Sequence, residues 1–111
     1  MADGDGGAST QDQRRARRVP FAARAIVQIG PTETRSKFVN FSERGCFVET
    51  PRWLPAGSQV QLSFASFGLV FQCNAIIRHR NEKGLGLEFI RLDPGTLAAF
   101  RALVNLAGGS A

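Results

Sequence analysis

The sequence predicts an all-β-dominated domain, a six-stranded antiparallel β-barrel that is followed by one C-terminal α-helix. Between residues 24 and 89, short segments alternate apolar and polar side chains with a period of two and are separated by turn residues. After Asp93-Pro94 the period becomes helical, with apolar residues at Leu97, Phe100, Val104 and Ala107. Because the strands are short and the turns regular, a closed or nearly closed barrel is favoured over a sandwich.

The predicted elements follow from local patterns. Strand segments are expected at 24–29, 36–41, 46–50, 60–64, 71–77 and 85–89, with turns at 30–34, 42–45, 51–57 and 81–84. Asp93 is a favoured N-cap and Pro94 suits the first helical position, while Gly108-Gly109 is expected to end the helix. A short apolar helix must cover something, most simply an open end or one face of the sheet.

The length of 111 residues suits one domain with a modest core. Residues 1–13 are rich in Asp, Gly and Ser and are predicted to form a flexible tail, followed by the domain at 14–107 and a short tail at 108–111. The chain has no apolar run long enough to span a membrane, and its N-terminus has no apolar signal segment, so a cytoplasmic location is expected.

The charge distribution predicts an anionic partner. Residues 1–13 carry three Asp and no basic residue, so the rest of the chain, with 14 basic and six acidic residues, has a net charge of +8. Nucleic acid, a nucleotide, an acidic lipid surface or an acidic protein would each suit such a body. Charge alone does not choose among them.

The sequence gives little support to catalysis, a cofactor or a metal site. Cys46 and Cys73 match no metal-ligand spacing and are predicted to be small buried hydrophobic residues. His79 is the only histidine, and no nucleophile, base and orienting group occur together. The expected function is therefore binding.

Two short polar motifs are the candidate site. Four arginines lie in the segment 14–18, ahead of Val19-Pro20-Phe21, and a polar turn follows at 40–45, Asn-Phe-Ser-Glu-Arg-Gly. If strands 24–29 and 36–41 form a hairpin about Thr32, then Asn40 lies opposite Arg24, Ser42 opposite Ala22 and Gly45 opposite Val19. The hairpin would return the polar turn to the place where the arginines enter the sheet.

The residues in these motifs suit a phosphorylated purine. Arg14 and Arg18 could pair bidentately with phosphate or with the O6 and N7 acceptors of guanine. Asn40 offers a donor and an acceptor, and Ser42 a hydroxyl. Gly45 is expected to allow a positive φ and a close approach of the ligand to the backbone.

These motifs resemble those of the PilZ domain family. Arg14 to Arg18 is similar to its RxxxR motif, and residues 40–45 are similar to its (D/N)xSxxG motif, in the same order and at about the same separation. The resemblance also includes Leu-Pro-Ala-Gly-Ser at 54–58, the Gly-Leu-Glu-Phe strand at 86–89 and the closing helix, so that it covers roughly residues 12 to 107.

The resemblance implies a six-stranded barrel that binds the bacterial second messenger cyclic di-GMP as a non-enzymatic receptor. It implies ligand contacts by Arg14 and Arg18 and by the second motif, Asn40, Ser42 and Gly45. The roles of Arg15 and Arg17 stay open. Members of the family often add a stacking or cationic side chain near the end of the penultimate strand, where this chain has Arg78, His79 and Arg80.

Several points remain open from the sequence. Gln13, just before the first motif arginine, leaves open whether one or two ligand molecules bind. Ligand binding is expected to order residues 14–18 and to change the surface offered to a downstream protein partner. The alternative is a non-specific RNA or single-stranded DNA binder on a small barrel. A barrel that only makes protein contacts is a third possibility.

Overall fold

A computed structural model describes residues 17–51 and 54–108. The described residues form seven strands and one helix. They are β1 (Val19–Pro20), β2 (Arg24–Ile29), β3 (Thr32–Phe41), β4 (Gly45–Glu49), β5 (Gln59–Ser66), β6 (Leu69–Asn81), β7 (Gly84–Ile90) and α1 (Pro94–Gly108). The predicted tail at 1–13, together with Arg14 and Arg15, lies outside the described residues.

Six of the strands close into a barrel. They follow one another in the order β3, β2, β5, β6, β7, β4, and β4 pairs again with β3. Every pairing is antiparallel, and the two-residue β1 adds to β3 on the flank that β2 also occupies. The predicted six-stranded antiparallel barrel with a C-terminal helix is confirmed.

The predicted register of the first hairpin is wrong by three residues. Arg24 lies opposite Lys37 and not opposite Asn40, because the strands are joined by a tight turn between Ile29 and Thr32. Gly30 adopts a φ of +54° in this turn, a conformation that glycine reaches without steric cost. Gly45 lies opposite Glu88 and not opposite Val19.

The two motifs nevertheless meet, because the chain before β2 continues along β3 as β1. Pro20 pairs with Asn40, and Val19 pairs with Phe41. The amide of Phe21 donates a hydrogen bond to the carbonyl of Val39 at 3.2 Å. The segment that joins β1 to β2 is therefore also bonded to β3. The arginine segment therefore enters the sheet beside Asn40.

The barrel is filled by aromatic rings. Seven of the nine Phe are buried. Phe100 of α1 is fully buried, and its ring centroid lies 5.1 Å from those of Phe41 and Phe89. The helix therefore closes one end of the barrel, the end at which β3 and β7 finish.

The helix begins as its sequence predicts. The Asp93 side chain accepts a hydrogen bond from the amide of Thr96 at 2.7 Å, and the Asp93 carbonyl accepts one from the amide of Leu97 at 2.9 Å. The bond from the Thr96 amide stabilises the charged carboxylate and lowers the pKa of Asp93. Among the described residues, no helix is long and apolar enough to cross a membrane.

Both cysteines are buried and free, which confirms their prediction as small buried residues. Burial raises the pKa of Cys73 to about 12 and that of Cys46 further. Because the thiolate is the reactive form, we expect neither thiol of the folded protein to react with a colourimetric disulfide reagent at pH 8, and both to react in denaturant. Rapid release of chromophore from the folded protein would contradict this burial.

Candidate ligand-binding site

The polar turn between β3 and β4 is held by the Ser42 hydroxyl. Ser42 is fully buried, and its Oγ accepts hydrogen bonds from the amides of Arg44 and Gly45, each at 3.1 Å. The hydroxyl also donates to the Gly45 carbonyl at 3.1 Å. The side chain therefore replaces solvent for backbone groups that face into the turn, as Ser does in short turns generally.

Removing this hydroxyl is expected to destabilise the protein. Ser42→Ala leaves the buried amide of Gly45 and the partly buried amide of Arg44 without their acceptor, which costs about 2 kcal/mol. Urea unfolding of the variant measures this loss. The matched control is Ser58→Ala, a half-exposed serine outside the turn, for which a change within about 0.5 kcal/mol is expected. Equal stability of the two variants would contradict the proposed bracing role of Ser42.

Gly45 is required by the close approach of β7. A Cβ atom at this position would collide with the backbone carbonyl of Leu87. Gly45 is not among the glycines with positive φ, which in the described chain are Gly30, Gly57 and Gly68. The expectation of a positive φ at Gly45 is therefore wrong, and the need for glycine comes from strand packing.

The turn is also tied to its neighbours. Glu43 forms an ion pair with Arg101 of α1 at 3.2 Å, and the Arg44 carbonyl accepts a hydrogen bond from the amide of Phe89 at 2.8 Å. These contacts attach the turn to the helix and to β7. The contacts hold the turn in one shape, so a ligand that binds beside it would contact preorganised groups.

Four residues form a row across the outer face of the barrel. Asn40 of β3 lies opposite Phe47 of β4, Phe47 lies opposite Gly86 of β7, and Gly86 lies opposite His79 of β6. Cross-strand partners share one face of a sheet, so their side chains are neighbours. We call Asn40, Phe47, Gly86 and His79 the outer row.

Two β-bulges turn Asn40 and His79 to the outside of the barrel. One bulge lies between Phe38 and Asn40, and the other between Ile77 and His79. Phe38 and Ile77 are buried, so strict alternation would also turn Asn40 and His79 inward. Each bulge inserts one residue and reverses the following side chain, a device that is common beside functional sites.

His79 and Phe47 form an aromatic pair over a glycine. Their ring centroids are 6.2 Å apart and their planes differ by 23°. The His79 ring occupies the space where a side chain at Gly86 would begin. The half-buried Phe47 and the exposed His79 therefore offer a surface on which a planar ring can stack.

The other two candidates on β6 point elsewhere. Arg78 is on the outer face but forms an ion pair with Glu88. Arg80 is exposed and lies opposite the buried Leu85, and so occupies the face opposite to that of the outer row, near the end of the barrel. Of the three, His79 is the residue that the fold places in the outer row.

Two arginines of the first motif are within the described residues. Arg18 Nη1 donates to Asn40 Oδ1 at 2.7 Å, which joins the lead-in segment to the outer row. Arg17 Nη2 donates to the carbonyl of Gly108 at 2.9 Å, at the C-terminal end of α1, where a cation is favoured by the helix dipole. Neighbouring arginines therefore diverge, one towards the row and one towards the helix.

The arrangement suits binding of a planar anion. It combines an exposed guanidinium, an amide and a pair of rings on an open surface, and Asn40 is partly exposed. Within ranges 17–51 and 54–108 there is no group of three or more His, Cys, Asp or Glu residues that could hold a metal ion. The groups present can donate hydrogen bonds, neutralise charge and stack.

Sequence reasoning missed Phe47 and Gly86 as members of the site. Phe47 alternates in β4 with Cys46 and Val48, which are both fully buried. Its opposite parity in β4 was the signal that could have placed it outside. Gly86 carried no such signal, because its role depends on which side chain lies across from it.

Comparisons with known proteins agree with this fold. The family model described as the PilZ domain matches residues 12–106, and the chain therefore belongs to the PilZ family. None of the curated protein sequences matches this chain significantly.

Solved structures with the same fold are distant in sequence. The PilZ domain of YcgR from Escherichia coli, in a structure with cyclic di-GMP, has a TM-score of 0.72 at 14% identity, over 86% of this chain and 91% of that one. The Bacillus subtilis inhibitor of motility (MotI/DgrA) has a TM-score of 0.70 at 19% identity over 82% of this chain. The present chain covers 48% of the Bacillus protein, about half its length. The Legionella protein Lpg0364 has a TM-score of 0.53 at 11% identity, over 81% of this chain and 91% of that one.

Proposed function

We propose that this protein binds cyclic di-GMP at the outer row and acts as a non-enzymatic receptor in the bacterial cytoplasm. The observation that carries the proposal is the hydrogen bond from Arg18 to Asn40, beside the Phe47–His79 pair. It brings together a guanidinium, a guanine-reading amide and a stacking surface. Membership of the PilZ family and the likeness to a PilZ domain described with cyclic di-GMP support the choice of ligand.

Each group has a role that its chemistry suits. Arg18, together with Arg14, pairs with phosphate or with the O6 and N7 acceptors of guanine. When the ligand arrives, the guanidinium of Arg18 exchanges its bond with Asn40 for bonds to the ligand. Asn40 is then available to the edge of a guanine, and His79 is available to stack on a base.

Ser42 and Gly45 act in this proposal through the shape of the turn, since the Ser42 hydroxyl is already engaged by backbone groups. Arg17 ties the lead-in segment to the helix, and Arg78 neutralises Glu88. Arg15 and Arg80 have no direct ligand contact in this proposal, and they add to the overall positive charge that attracts an anion.

Ligand binding would change the surface that the protein offers to a partner. Arg18 is bonded to β3 and Arg17 to α1, so a movement of Arg18 towards a ligand is transmitted along one residue of chain to the helix end. We propose that a downstream protein reads this rearrangement, which makes the domain an adaptor.

Calorimetric titration tests the ligand. Cyclic di-GMP, GTP and a short single-stranded oligonucleotide are compared at one salt concentration, because all three carry phosphate and all ionic contacts weaken with salt. Binding of cyclic di-GMP at micromolar or lower concentration, with at least about tenfold weaker binding of the other two, is expected. Equal binding of the oligonucleotide would favour the nucleic-acid alternative instead.

Amide NMR tests the rearrangement separately. The signals of residues 16–21 are followed with and without saturating cyclic di-GMP. Shifts confined to this segment, to the outer row and to the end of α1 are expected. Unchanged signals at saturation would contradict the adaptor mechanism while leaving binding intact.

A further inference from the structure

A concave surface that is separate from the candidate site lies on the outer face of the barrel. It is a groove with a volume of about 700 Å³ over β2, β3 and β5, bounded by Glu49–Pro51 on one side. Four basic side chains line it, and we call it the basic groove. They are Arg24, Arg35, Lys37 and Lys83. No residue of the outer row lines it, so it is a separate surface.

The four cations of the basic groove have no acidic partner among the residues that the structure describes. None of the four forms an ion pair with a residue of 17–51 or 54–108. Glu49 is the one acidic residue among those that line the groove, which leaves a net charge of +3 on its described lining. Like charges that gather without partners repel one another, and an external anion would relieve that repulsion.

The groove opens onto an uncharged and partly apolar surface. Ala65 lines it and lies opposite Val70, which is 78% exposed. Phe67 and Leu69, at the tip of the same hairpin, are also exposed. Residues 59–77 contain no charged side chain at all, in a chain of which 21% is charged. Exposed apolar side chains clustered in this way mark contact surfaces.

The backbone at the hairpin tip adds a second observation. Phe67 has a φ of +52°, in the left-handed region that costs free energy for a residue with a bulky side chain. Gly68, with a φ of +76°, is suited to such a turn, but an exposed Phe beside it is not. The hairpin tip therefore combines an exposed aromatic ring with an unfavourable backbone conformation.

From the unpaired cations and the adjoining apolar tip we infer that the basic groove docks an acidic segment of a partner protein. Its carboxylates pair with Arg24, Arg35, Lys37 and Lys83, and apolar side chains flanking them cover Val70 and the hairpin tip. A peptide fits better than a nucleic acid, because Phe64, the one aromatic residue lining the groove, is buried and unavailable for base stacking. At the tip, Phe67 is a single exposed ring beside the aliphatic Leu69 and Val70, a surface that suits apolar peptide side chains better than a run of stacked bases.

Fluorescence anisotropy with the full chain tests this inference, in the absence of cyclic di-GMP. The probe is a short fluorescein-labelled peptide in which a run of glutamates is followed by leucines. A peptide with glutamine at every glutamate position and a single-stranded oligonucleotide serve as comparisons. Saturable binding of the glutamate peptide alone is expected, and its absence would overturn the inference.

Paired variants localise the binding. The double variant Arg24→Gln, Arg35→Gln is expected to weaken peptide binding about tenfold, whereas Arg91→Gln, Arg101→Gln, which removes the same charge outside the groove, changes it less than about twofold. The single variant Val70→Ser, which removes an exposed apolar side chain, is also expected to weaken peptide binding. Equal losses in the two double variants, or oligonucleotide binding that is as tight and depends on the same arginines, would overturn the inference.

Thermal unfolding of each variant shows that it is folded. Cyclic di-GMP affinity, measured on the same groove variant, is expected to stay within about twofold of the unsubstituted protein, because Arg24 and Arg35 are outside the outer row. The inference about the basic groove and the proposal about the cyclic di-GMP site can therefore be contradicted independently of one another.

Discussion

Arg18→Ala is expected to weaken cyclic di-GMP binding about a hundredfold. The guanidinium is the described cation that reaches the outer row, through Asn40. A bidentate pair with phosphate or guanine consists of two charge-assisted hydrogen bonds, and the net loss of such bonds costs about 1.5 to 3 kcal/mol each. Isothermal calorimetry at one salt concentration measures the change.

The control for Arg18 is Arg101→Ala. Arg101 is also exposed, and its removal lowers the net charge by the same amount, but it contacts Glu43 and not the outer row. The affinity of this variant for cyclic di-GMP is expected to change less than about threefold, since Arg101 is exposed, is paired with Glu43 and makes no contact with the outer row, and exposed charges are weakened by solvent and salt. Arg18→Lys restores the charge without the planar fork and is expected to recover only part of the loss. If Arg18→Ala and Arg101→Ala had equal effects, Arg18 would contribute only its positive charge and no specific contact.

Gly45→Ala is expected to lower the free energy of unfolding by about 3 kcal/mol. The added Cβ meets the carbonyl of Leu87, a backbone atom that cannot move without breaking the pairing of β4 with β7. Overpacking of this kind typically costs 1 to 3 kcal/mol, a large part of the about 5 to 15 kcal/mol by which domains are stable. Urea unfolding with an unchanged m-value would measure it.

Gly95→Ala is the matched control for this substitution. Gly95 lies in the first turn of α1, where an added Cβ would only touch the Asp93 side chain at 3.4 Å. Alanine is favoured there by helix propensity, so stability is expected to stay level or to rise by up to about 1 kcal/mol. If Gly45→Ala were as stable as the unsubstituted protein but did not bind cyclic di-GMP, the glycine would serve ligand approach and not strand packing.

Much of the fold was predictable from local patterns. The period-two segments gave the six barrel strands, and Asp93-Pro94 correctly marked the start of α1. The hairpin register was wrong because a cluster of turn residues at 30–34 does not reveal how tightly the chain will turn, and the tight turn beginning at Gly30 shifts every partner by three. The motifs still met, because β1 continues along β3 past the end of β2.

The candidate site was only partly predictable. Arg18 and Asn40 were expected to be close, and the structure brings them into hydrogen-bonding distance. Ser42 and Gly45 were expected to contact the ligand. In the structure, the Ser42 hydroxyl holds the turn, and Gly45 allows β7 to approach closely. Phe47 was not expected, although its parity in β4, opposite to that of the buried Cys46 and Val48, was a signal for its outward position.

The sequence by itself determined the alternation that makes strands, the capping residues that start the helix and the two motifs that resemble those of the family. These are local properties, set by side chains within a few residues of one another. Only the tertiary structure decided that Asn40 and His79 face outward. Each follows a bulge, and a bulge arises from pairing with a strand that is distant in sequence, so no local pattern reports it.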